Sequence, residues 1–593
     1  MKLSRTLPFV LAALLPAAPA GAQADAEARL IVRFKPQADS VRAKALASRA
    51  TRAEAREIAQ TRATALGMRT GQALRAGISL DERTHVVAAH GITGAQLARR
   101  LAADPEVELV AEDGRRKHLA TLPNDPLFGD ATVPAETTAG GVQQRVIDQW
   151  YLKAPGAPSH PQVVSGINAP AAWDLSTGAA SVVVAVLDTG VRQDHPDLAG
   201  KFVAGYDMIG LGSPGALSTA IANDGDGHDA DPSDPGDWVS QADVDSGRLG
   251  SGCDSSDIAN SSWHGTRVAG LIGAASNNGL GMAGVGWGLK LMPIRVLGKC
   301  GGYDSDIMAG MRWAAGLAVP GLPANPVKAK VLNLSLGGSG SCGTSGTGAL
   351  YRDTIAQVTA AGATIVVAAG NSAGQAVGLP GNCPGVITVA ALRHVGTKVG
   401  FSSVGPEVSI AAPGGNCINI GAGQPCLYPM VSTTNRGTTA PVAGDASYTD
   451  SHSSVGTSFS APIVSGIVGL MASVRPGLTA AEAARILKAT ARPFPTTGGD
   501  GNPPQCQAPG TAEQLECYCT TDTCGAGMVD AFEAVKAAQV LNAQAAAASA
   551  AAATGSGGGG GGAMSAAWLA ALLLAALSLR RPTPPRPAPR RRP

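Results

Sequence analysis

The sequence predicts an α/β protein: a mostly parallel, buried sheet with helices on both faces, preceded by a small α+β domain. Between about residues 120 and 538, apolar segments such as VVVAVLD, AKVLNLSLG and TIVVAAG alternate with helical segments such as HGTRVAGLIGAAS and LYRDTIAQVTAAG. Continuous Val, Ile and Ala runs are typical of strands buried on both faces, and helices between them form the crossovers of a parallel sheet. Residues 23–119 follow a different order of elements.

The first domain is predicted from five consecutive segments. ARLIVRFK alternates as a strand does, and residues 40–66 are rich in Ala, Arg and Glu, as in a helix. HVVAA and VELVAEDG are two further strands. TGAQLARRLAAD, between them, is a second helix that Thr93 can cap. We therefore place an α+β domain at residues 23–119, without any of the chain's cysteines.

Both ends of the chain carry targeting signals. MKLSRTLPFVLAALLPAAPAGAQA joins a basic start, a short apolar run and a small-residue cleavage site, which predicts a signal peptide over residues 1–22. Residues 120–540 then form the main domain, and residues 541–562 an Ala/Gly-rich linker. Residues 563–593 combine an apolar helix with an arginine-rich end, which favours a membrane segment over a buried amphipathic helix because the run has no polar face.

Composition and cysteines limit the classes of function. The net charge of +2 gives no indication of a nucleic-acid partner. Export implies an oxidising compartment, so the ten cysteines are predicted to form disulfides, although pairing cannot be deduced from sequence. We hypothesise neighbouring pairs: Cys253–Cys300, Cys342–Cys383 and Cys417–Cys426. A zinc site at Cys517, Cys519 and Cys524 is the alternative, disfavoured because no second pair or histidine has the required spacing.

Three reactive side chains lie where strands end or helices begin. Asp188 ends the buried segment VVVAVLD, His264 precedes an apolar helix in SSWHGTRVAG, and Ser458 lies in GTSFSAP at the start of another helix. Each has a structural alternative: a turn aspartate, a structural histidine, and a helix cap at Thr457 or Ser458. Taken in chain order beside glycines, Asp, His and Ser form a candidate triad in which His264 takes the serine proton, Asp188 orients the imidazole and Ser458 attacks a carbonyl.

The blocks VAVLDTGV, HGTRVAG and GTSFSAP resemble the three signature blocks of the subtilisin-like serine proteases, and VVAAGNSAG resembles the block that carries the oxyanion donor. The resemblance spans residues 145–540 and implies a secreted serine endopeptidase with Asn371 as that donor. Arg267 departs from the family, which usually has a histidine there, and we expect only a surface effect. NLSLGG and LGKCGGYD look like the family's two substrate-binding edges, which implies binding by Ser335, Leu336, Gly337, Gly301 and Gly302.

The resemblance also implies a self-processing zymogen. Residues 23–119 are similar to subtilase propeptides, which act as folding chaperones and intramolecular inhibitors. We expect the cut between Lys117 and Pro123; a cut after Leu119 would mean a first pocket for bulky apolar residues. The C-terminal tail resembles the glycine-linker, membrane-helix and arginine sorting signals of Gram-negative bacteria, which a rhomboid-type protease removes. We expect a monomeric, secreted enzyme that associates with the membrane transiently and acts on proteins or peptides.

Calcium is the predicted cofactor, at two places. The loop at residues 223–231 crowds oxygen ligands among glycines, which suits Ca²⁺, with a solvated acidic loop as the alternative. Its candidate ligands are Asp224, Asp226, Asp229 and Asp231. The family resemblance implies a second site with Asp197, Asn278, the carbonyls of Ser276, Leu280 and Met282, and Gln149 as a possible further ligand.

The sequence is also compatible with two rival functions. Residues 370–374, GNSAG, fit the nucleophile elbow of esterases and lipases, with Ser372 as nucleophile, but the following QAVGLPGNCPG is a poor helix. A catalytically inactive surface-binding protein is disfavoured because all three triad residues and Asn371 are present.

Overall fold

The computed structural model describes residues 27–47, 49–113, 121–129, 132–138, 141–146, 148–210, 215–417, 427–449, 454–499 and 501–554. The predicted signal peptide and C-terminal membrane segment, and Cys426 of the third hypothesised pair, lie outside these residues. The chain divides into two compact units, Met1–Leu119 and Ala120–Pro593.

The first unit is a four-stranded antiparallel sheet with helices. Its strands run in the order β2-β3-β1-β4. Capping boxes at Thr51 and Thr93 begin the two longer helices. The sequence analysis missed β2, because RAGIS is short and carries a glycine. The elements are β1 Ala28–Phe34, α1 Asp39–Arg42, α2 Arg52–Thr70, β2 Arg75–Ser79, β3 Thr84–Ala89, α3 Gly94–Ala102 and β4 Val107–Glu112.

The second unit contains the remaining elements. Its strands are β5 Thr132–Thr138, β6 Gly141–Val146, β7 Val183–Asp188, β8 Tyr206–Asp207, β9 Lys290–Arg295, β10 Val331–Leu334, β11 Thr364–Ala368, β12 Val386–Leu392, β13 Val408–Pro413, β14 Ser432–Thr433 and β15 Tyr448–Thr449. Its helices are α4 Ala169–Trp173, α5 Ala216–Ala222, α6 Gln241–Asp245, α7 His264–Gly273, α8 Asp304–Ala314, α9 Gly346–Ala360, α10 Thr457–Val474, α11 Ala480–Thr490 and α12 Ala531–Thr554.

Seven of these strands form one parallel sheet, in the order β13-β12-β11-β10-β7-β9-β8. Alternate residues of each strand point to opposite faces: Val184 and Val186 of β7 join the core with α7 and α10, whereas Ala185 and Leu187 join the core with α8 and α9. The predicted α/β class, with helices on both faces, is therefore confirmed.

Helix α10 is the central core helix of this unit. It is long and apolar enough to cross a membrane, but 83% of its apolar window is buried inside the protein. The parallel strands and α7 pack around it. Its composition therefore reflects burial between protein layers.

Helix α12 continues to Thr554, thirteen residues past the predicted start of the linker at residue 541. Alanine is the best helix former, and an alanine-rich stretch joined to a docked helix extends it.

Four disulfides are described. Cys253–Cys300 and Cys342–Cys383 pair as hypothesised. Cys506–Cys517 and Cys519–Cys524 leave no thiolate at those positions for zinc, so the zinc alternative is wrong.

Candidate active site

The three predicted reactive residues lie at one edge of the parallel sheet. Asp188 is the last residue of β7, His264 the first of α7 and Ser458 the second of α10. Reactive groups in such sheets gather at the carboxyl ends of strands. His264 Nδ1 donates to Asp188 Oδ1 at 2.7 Å, and the same oxygen accepts from Thr189 N at 2.9 Å. Asp188 therefore holds the imidazole with Nε2 available for chemistry.

Burial and charge act in opposite directions on His264. Burial alone lowers the pKa of an imidazole, but the charge of Asp188 and its hydrogen bond outweigh burial and raise the pKa of His264 above its ordinary value. Arg267 opposes this rise with its own charge. Arg267 is half-buried, burial lowers its pKa to about 10, and its Nε donates to Thr434 Oγ1 at 3.3 Å. The expectation that residue 267 affects only the surface is therefore wrong.

The start of α10 is built around Ser458. Gly456 is the N-cap residue and has no side chain, and the side chain that accepts from the first N–H of the helix, Thr457 N, is that of Asn371, so the alternative in which Thr457 or Ser458 serves as a cap is wrong. Pro462 lies in the second turn and cannot donate to the Ser458 carbonyl four residues earlier. Ser335 Oγ donates to that carbonyl at 2.7 Å instead. A side chain from beyond β10 thus anchors the peptide unit that carries Ser458.

The Ser458 hydroxyl donates to the carbonyl of Ser335 at 3.2 Å. The ring of His264 lies 5.6 Å from that of Phe459, the next residue along the helix. Among the described hydrogen bonds, none joins Ser458 Oγ to His264. Catalytic hydrogen bonds are often formed only once substrate is bound. A turn of the serine hydroxyl away from Ser335 is therefore required for attack.

Asn371 follows β11, and hydrogen bonds fix the orientation of its amide. Its Oδ1 accepts from Thr457 N at 3.0 Å and from Thr457 Oγ1 at 2.9 Å, which leaves Nδ2 on the other side. A Cβ placed on Gly456 would lie 3.5 Å from Asn371 Nδ2 and 3.6 Å from Ser458 N. These two donors therefore border one small space, which the absence of a side chain at Gly456 keeps open.

A cleft of about 630 Å³ contains His264 and both predicted substrate edges. Gly301 pairs with Gly298 through two backbone hydrogen bonds in a tight turn, and Gly301 has φ +91°. A Cβ on Gly302 would lie 1.9 Å from the Val296 carbonyl oxygen, so that position requires glycine. The structure brings together all five predicted edge residues: Ser335, Leu336, Gly337, Gly301 and Gly302.

Sequence reasoning missed Asp237 at the His264 end of this cleft. Its two carboxylate oxygens accept from the N and the Oγ of Ser262, both at 2.6 Å. Ser262 Oγ in turn accepts from His264 N at 3.2 Å. The sequence DPGDW contains Asp237, but the denser group of aspartates at residues 224–231 favoured a prediction for that loop instead.

The residues of the second predicted calcium site lie around buried Asp197. Its Oδ1 accepts from Asn278 Nδ2 at 2.9 Å, and its Oδ2 accepts from Met282 N at 2.8 Å. Asp125, which the sequence analysis missed, lies beside it and accepts from Asn277 N and Asn278 N. Burial raises the pKa of both carboxyls, and Asp197 raises that of Asp125 further. Neither forms an ion pair with Lys or Arg in the described part of the chain.

The other residues predicted for this site lie on the same loop or brace it. Ser276, Leu280 and Met282 belong to the loop that surrounds Asp197. Gln149 differs from the expectation, since its Oε1 and Nε2 both bond the backbone of Ala283 and so support the loop.

The acidic loop does not form the predicted cluster. Asp224 pairs at 2.6 Å with the buried guanidinium of Arg295, which also contacts Asp207 and holds Asp224 away from the other acids of the loop. Asp229 and Asp231 accept backbone N–H groups within their own turns. Among the described residues, no three carboxylates of this loop bring oxygens within 4.8 Å of one another. Asp226 is exposed. Its pKa is raised by partial desolvation and, to a smaller extent, by repulsion from the carboxylates of Asp224 and Asp229.

Ser372 lacks the setting that an esterase nucleophile needs. It follows β11, but the chain continues in turns towards β12, without a helix. Its N donates to Ser403 Oγ at 3.2 Å. The strand–turn–helix arrangement of a nucleophile elbow is therefore absent at this position.

Comparison with known proteins finds relatives over most of the chain. The model of the subtilase family matches residues 179–519. An extracellular protease of Xanthomonas campestris is 35% identical over 519 residues, covering 87% of this chain and 74% of that protein. An extracellular basic protease of Dichelobacter nodosus is 36% identical, covering 66% of this chain and 56% of the relative. The solved structure of a protease from Pseudoalteromonas arctica is 38% identical with a TM-score of 0.54, covering 70% of this chain and 100% of that one.

Proposed function

Because the chain belongs to the subtilase family and is a serine-type endopeptidase, we propose that Asp188, His264 and Ser458 cleave peptide bonds of protein or peptide substrates through an acyl-enzyme. The single observation that carries the proposal is the 2.7 Å hydrogen bond between His264 Nδ1 and Asp188 Oδ1 at the sheet edge where α10 presents Ser458. This bond commits one imidazole nitrogen and leaves the other to act as base.

The first step is attack by Ser458 Oγ on the substrate carbonyl. His264 Nε2 removes the hydroxyl proton as the bond forms, and the imidazolium is stabilised by the Asp188 carboxylate. The same proton then passes to the leaving amine, so that the peptide bond breaks and an ester on Ser458 remains. Water hydrolyses this ester by the same proton transfers in reverse order.

The negative charge of the tetrahedral intermediate develops on the former carbonyl oxygen. Asn371 Nδ2 and Ser458 N border the space beside Gly456 and would donate to that oxygen. Preorganised donors of this kind stabilise the transition state because they need no reorientation during the reaction.

The substrate would bind as an additional β-strand. The edge at residues 335–337 and the edge at Gly301 and Gly302 face the same cleft. Main-chain hydrogen bonds then provide affinity, and the side chains of the peptide alternate between the two walls of the cleft.

Calcium fits the site formed by Asp125, Asp197 and Asn278. Two buried carboxylates without a cationic partner in the described residues are costly, and a hard divalent cation removes this cost. When bound, calcium would supply the missing positive charge and hold the loop at residues 276–282 against Asp197. The acidic loop would provide a second site only after Asp226, Asp229 and Asp231 close around an ion, because Asp224 already pairs with Arg295.

We place the enzyme outside the cell, made as a zymogen. The separate unit Met1–Leu119 supports an inhibitory propeptide, and the apolar N-terminal run supports a signal peptide. The arginine-ended apolar tail supports transient membrane association before release.

The test compares secreted wild type with Ser458→Ala by intact mass and casein hydrolysis. Wild type is expected to lose its first unit by a cut between Lys117 and Pro123 and to digest casein. Ser458→Ala should keep the first unit and remain inactive.

Ser372→Ala is the matched control, because it removes the competing serine and leaves the triad intact. It should process and digest casein as wild type does. An active Ser458→Ala with an inactive Ser372→Ala would contradict the proposal and support an esterase-type site.

A further inference from the structure

The charge of the substrate cleft is one-sided. Its lining residues include the carboxylates of Asp237 and Asp304, and the described lining contains no lysine or arginine. Asp237 belongs to the wall that carries His264, and Asp304 lies beside Tyr303 on the opposing edge. A bound peptide would therefore meet negative charge that no lysine or arginine of the described lining offsets.

The two acids differ in how their charge is satisfied. Asp304 Oδ1 accepts from Tyr351 OH at 2.7 Å, and Asp304 lies in the first turn of α8, where free N–H groups favour a negative charge. Asp237 accepts only neutral donors, both from Ser262, and forms no ion pair in the described part of the chain. Asp237 is also only half-buried, so a cationic group in the cleft can reach it.

The neighbouring acid adds little fixed charge to this wall. Asp234, three residues before Asp237, is buried, its Oδ2 accepts from Thr189 Oγ1 at 2.8 Å, and burial raises its pKa to about 7. Arg267 and Asp237 attract each other by charge, but Arg267 is not among the residues that line the cleft, and its Nε donates to Thr434 Oγ1. The wall beside His264 therefore still presents the half-buried carboxylate of Asp237 to a cation in the cleft.

We infer that the cleft selects peptides with a lysine or arginine side chain directed to the His264 wall, N-terminal to the bond that is cut, where Asp237 binds it. This inference rests on the proposed function. Because the side chains of a bound strand alternate between walls, the preference applies to one residue of the peptide and not to its immediate neighbours. An ion pair at a partly exposed site, ordered by substrate binding, is expected to raise kcat/KM about three- to tenfold over a neutral side chain.

The experiment uses quenched fluorescent peptides that differ at one residue. Lysine, norleucine or glutamate is placed in turn at each of the three positions before the cut, and kcat/KM is measured for processed wild type, Asp237→Asn and Asp304→Asn. Asparagine keeps the size of each acid and removes its charge. The readout is the ratio of lysine to norleucine within each enzyme, which a general loss of activity does not change.

Wild type should show a ratio of about three to ten at one position, and glutamate there should be worse than norleucine. The ratio should approach one in Asp237→Asn and stay unchanged in Asp304→Asn. In wild type, the ratio should fall when the salt concentration rises from 0.05 to 0.5 M, and this measurement needs no variant. A wild-type ratio near one at all three positions, or the same ratio in Asp237→Asn, overturns the inference. Failure of wild type to cut even the norleucine peptides would instead overturn the proposed function.

Discussion

Replacement of Asn371 by alanine tests the oxyanion site most directly. The Asn371 amide has two separate tasks in the structure. Its Oδ1 accepts from the N and the Oγ1 of Thr457 at 3.0 and 2.9 Å, and its Nδ2 faces the space shared with Ser458 N. Only the second task stabilises charge that develops during the reaction. The two tasks therefore predict different effects on activity and on stability.

The magnitudes separate the two tasks. Loss of one oxyanion donor typically lowers kcat by about 10²–10³-fold, or roughly 2.7–4 kcal/mol. Loss of a neutral hydrogen bond at Thr457 costs about 1 kcal/mol of folding stability. Asn371→Ala should therefore reduce kcat by about 10²–10³-fold with KM changed about twofold at most, because the donor acts in the transition state and not on bound substrate.

Two further variants serve as controls. Thr457→Val removes both hydrogen bonds of the hydroxyl, to Asn371 Oδ1 and from Gly370 N, but keeps the Thr457 N–H, so it should lower the free energy of unfolding by about 2 kcal/mol and kcat by less than about tenfold. Asn371→Asp keeps the Oδ1 acceptor and replaces the donor with a negative oxygen, so it should be as slow as Asn371→Ala or slower. Steady-state kinetics on one peptide and urea denaturation measure these effects. A kcat of Asn371→Ala within tenfold of wild type, or a nearly wild-type activity of Asn371→Asp, would contradict a role of Asn371 as oxyanion donor.

Three more predictions concern the base, the calcium site and a disulfide. Asp188→Asn should lower kcat by about 10⁴-fold. The effect of Asp188 outweighs that of burial and raises the pKa of His264 above its ordinary value near 6.5. The acid limb of the pH profile of kcat/KM should therefore lie above pH 6.5 in wild type and move to lower pH in Asp188→Asn. An acid limb at the same pH in both enzymes would contradict this. Chelation with EGTA should lower the Tm of wild type by about 5 °C and that of Asp125→Asn by less, since one of the two repelling carboxylates is gone; equal shifts would argue against calcium there. Replacing Cys342 and Cys383 with serine should lower the free energy of unfolding by about 2–4 kcal/mol, measured by urea denaturation, and an unchanged midpoint would oppose a structural role.

The sheet and the triad could be predicted because their signals are local. Continuous apolar runs such as VVVAVLD report burial on both faces without any knowledge of the neighbouring strands. Asp188, His264 and Ser458 each lie at the end of such a run or at the start of an apolar helix, and the topology of a parallel sheet brings these ends together. Asn371 was identified differently, from the resemblance of VVAAGNSAG to the block that carries the oxyanion donor, and the structure places it directly after β11.

Residues whose role depends on distant contacts could not be predicted. Asp125 lies in a segment that reads only as an exposed connector, and its partners Asn277 and Asn278 are more than 150 residues away. The calcium prediction for the acidic loop was based on charge density alone. It could not take into account that Asp224 pairs with Arg295, which is 71 residues away in the sequence. The carboxylates that are close together in the sequence of the acidic loop thus have separate partners, whereas Asp125 and Asp197, which are far apart in the sequence, lie side by side.

The segment GTSFSAP shows how the structure decides between a cap and a nucleophile. A capping residue would direct its hydroxyl to the N–H groups of the first turn, but Thr457 bonds Asn371 and Gly370, and Ser458 bonds the Ser335 carbonyl. At the start of α10, Thr457 N donates to Asn371 Oδ1 and Phe459 N to the Gly456 carbonyl, whereas Ser458 N borders the space beside Gly456. Pro462 further frees the Ser458 carbonyl for Ser335, which ties the nucleophile to the substrate edge. Each of these choices weakens the helix end as a stable terminus and strengthens it as a site for developing negative charge, which is the expected compromise at an active site.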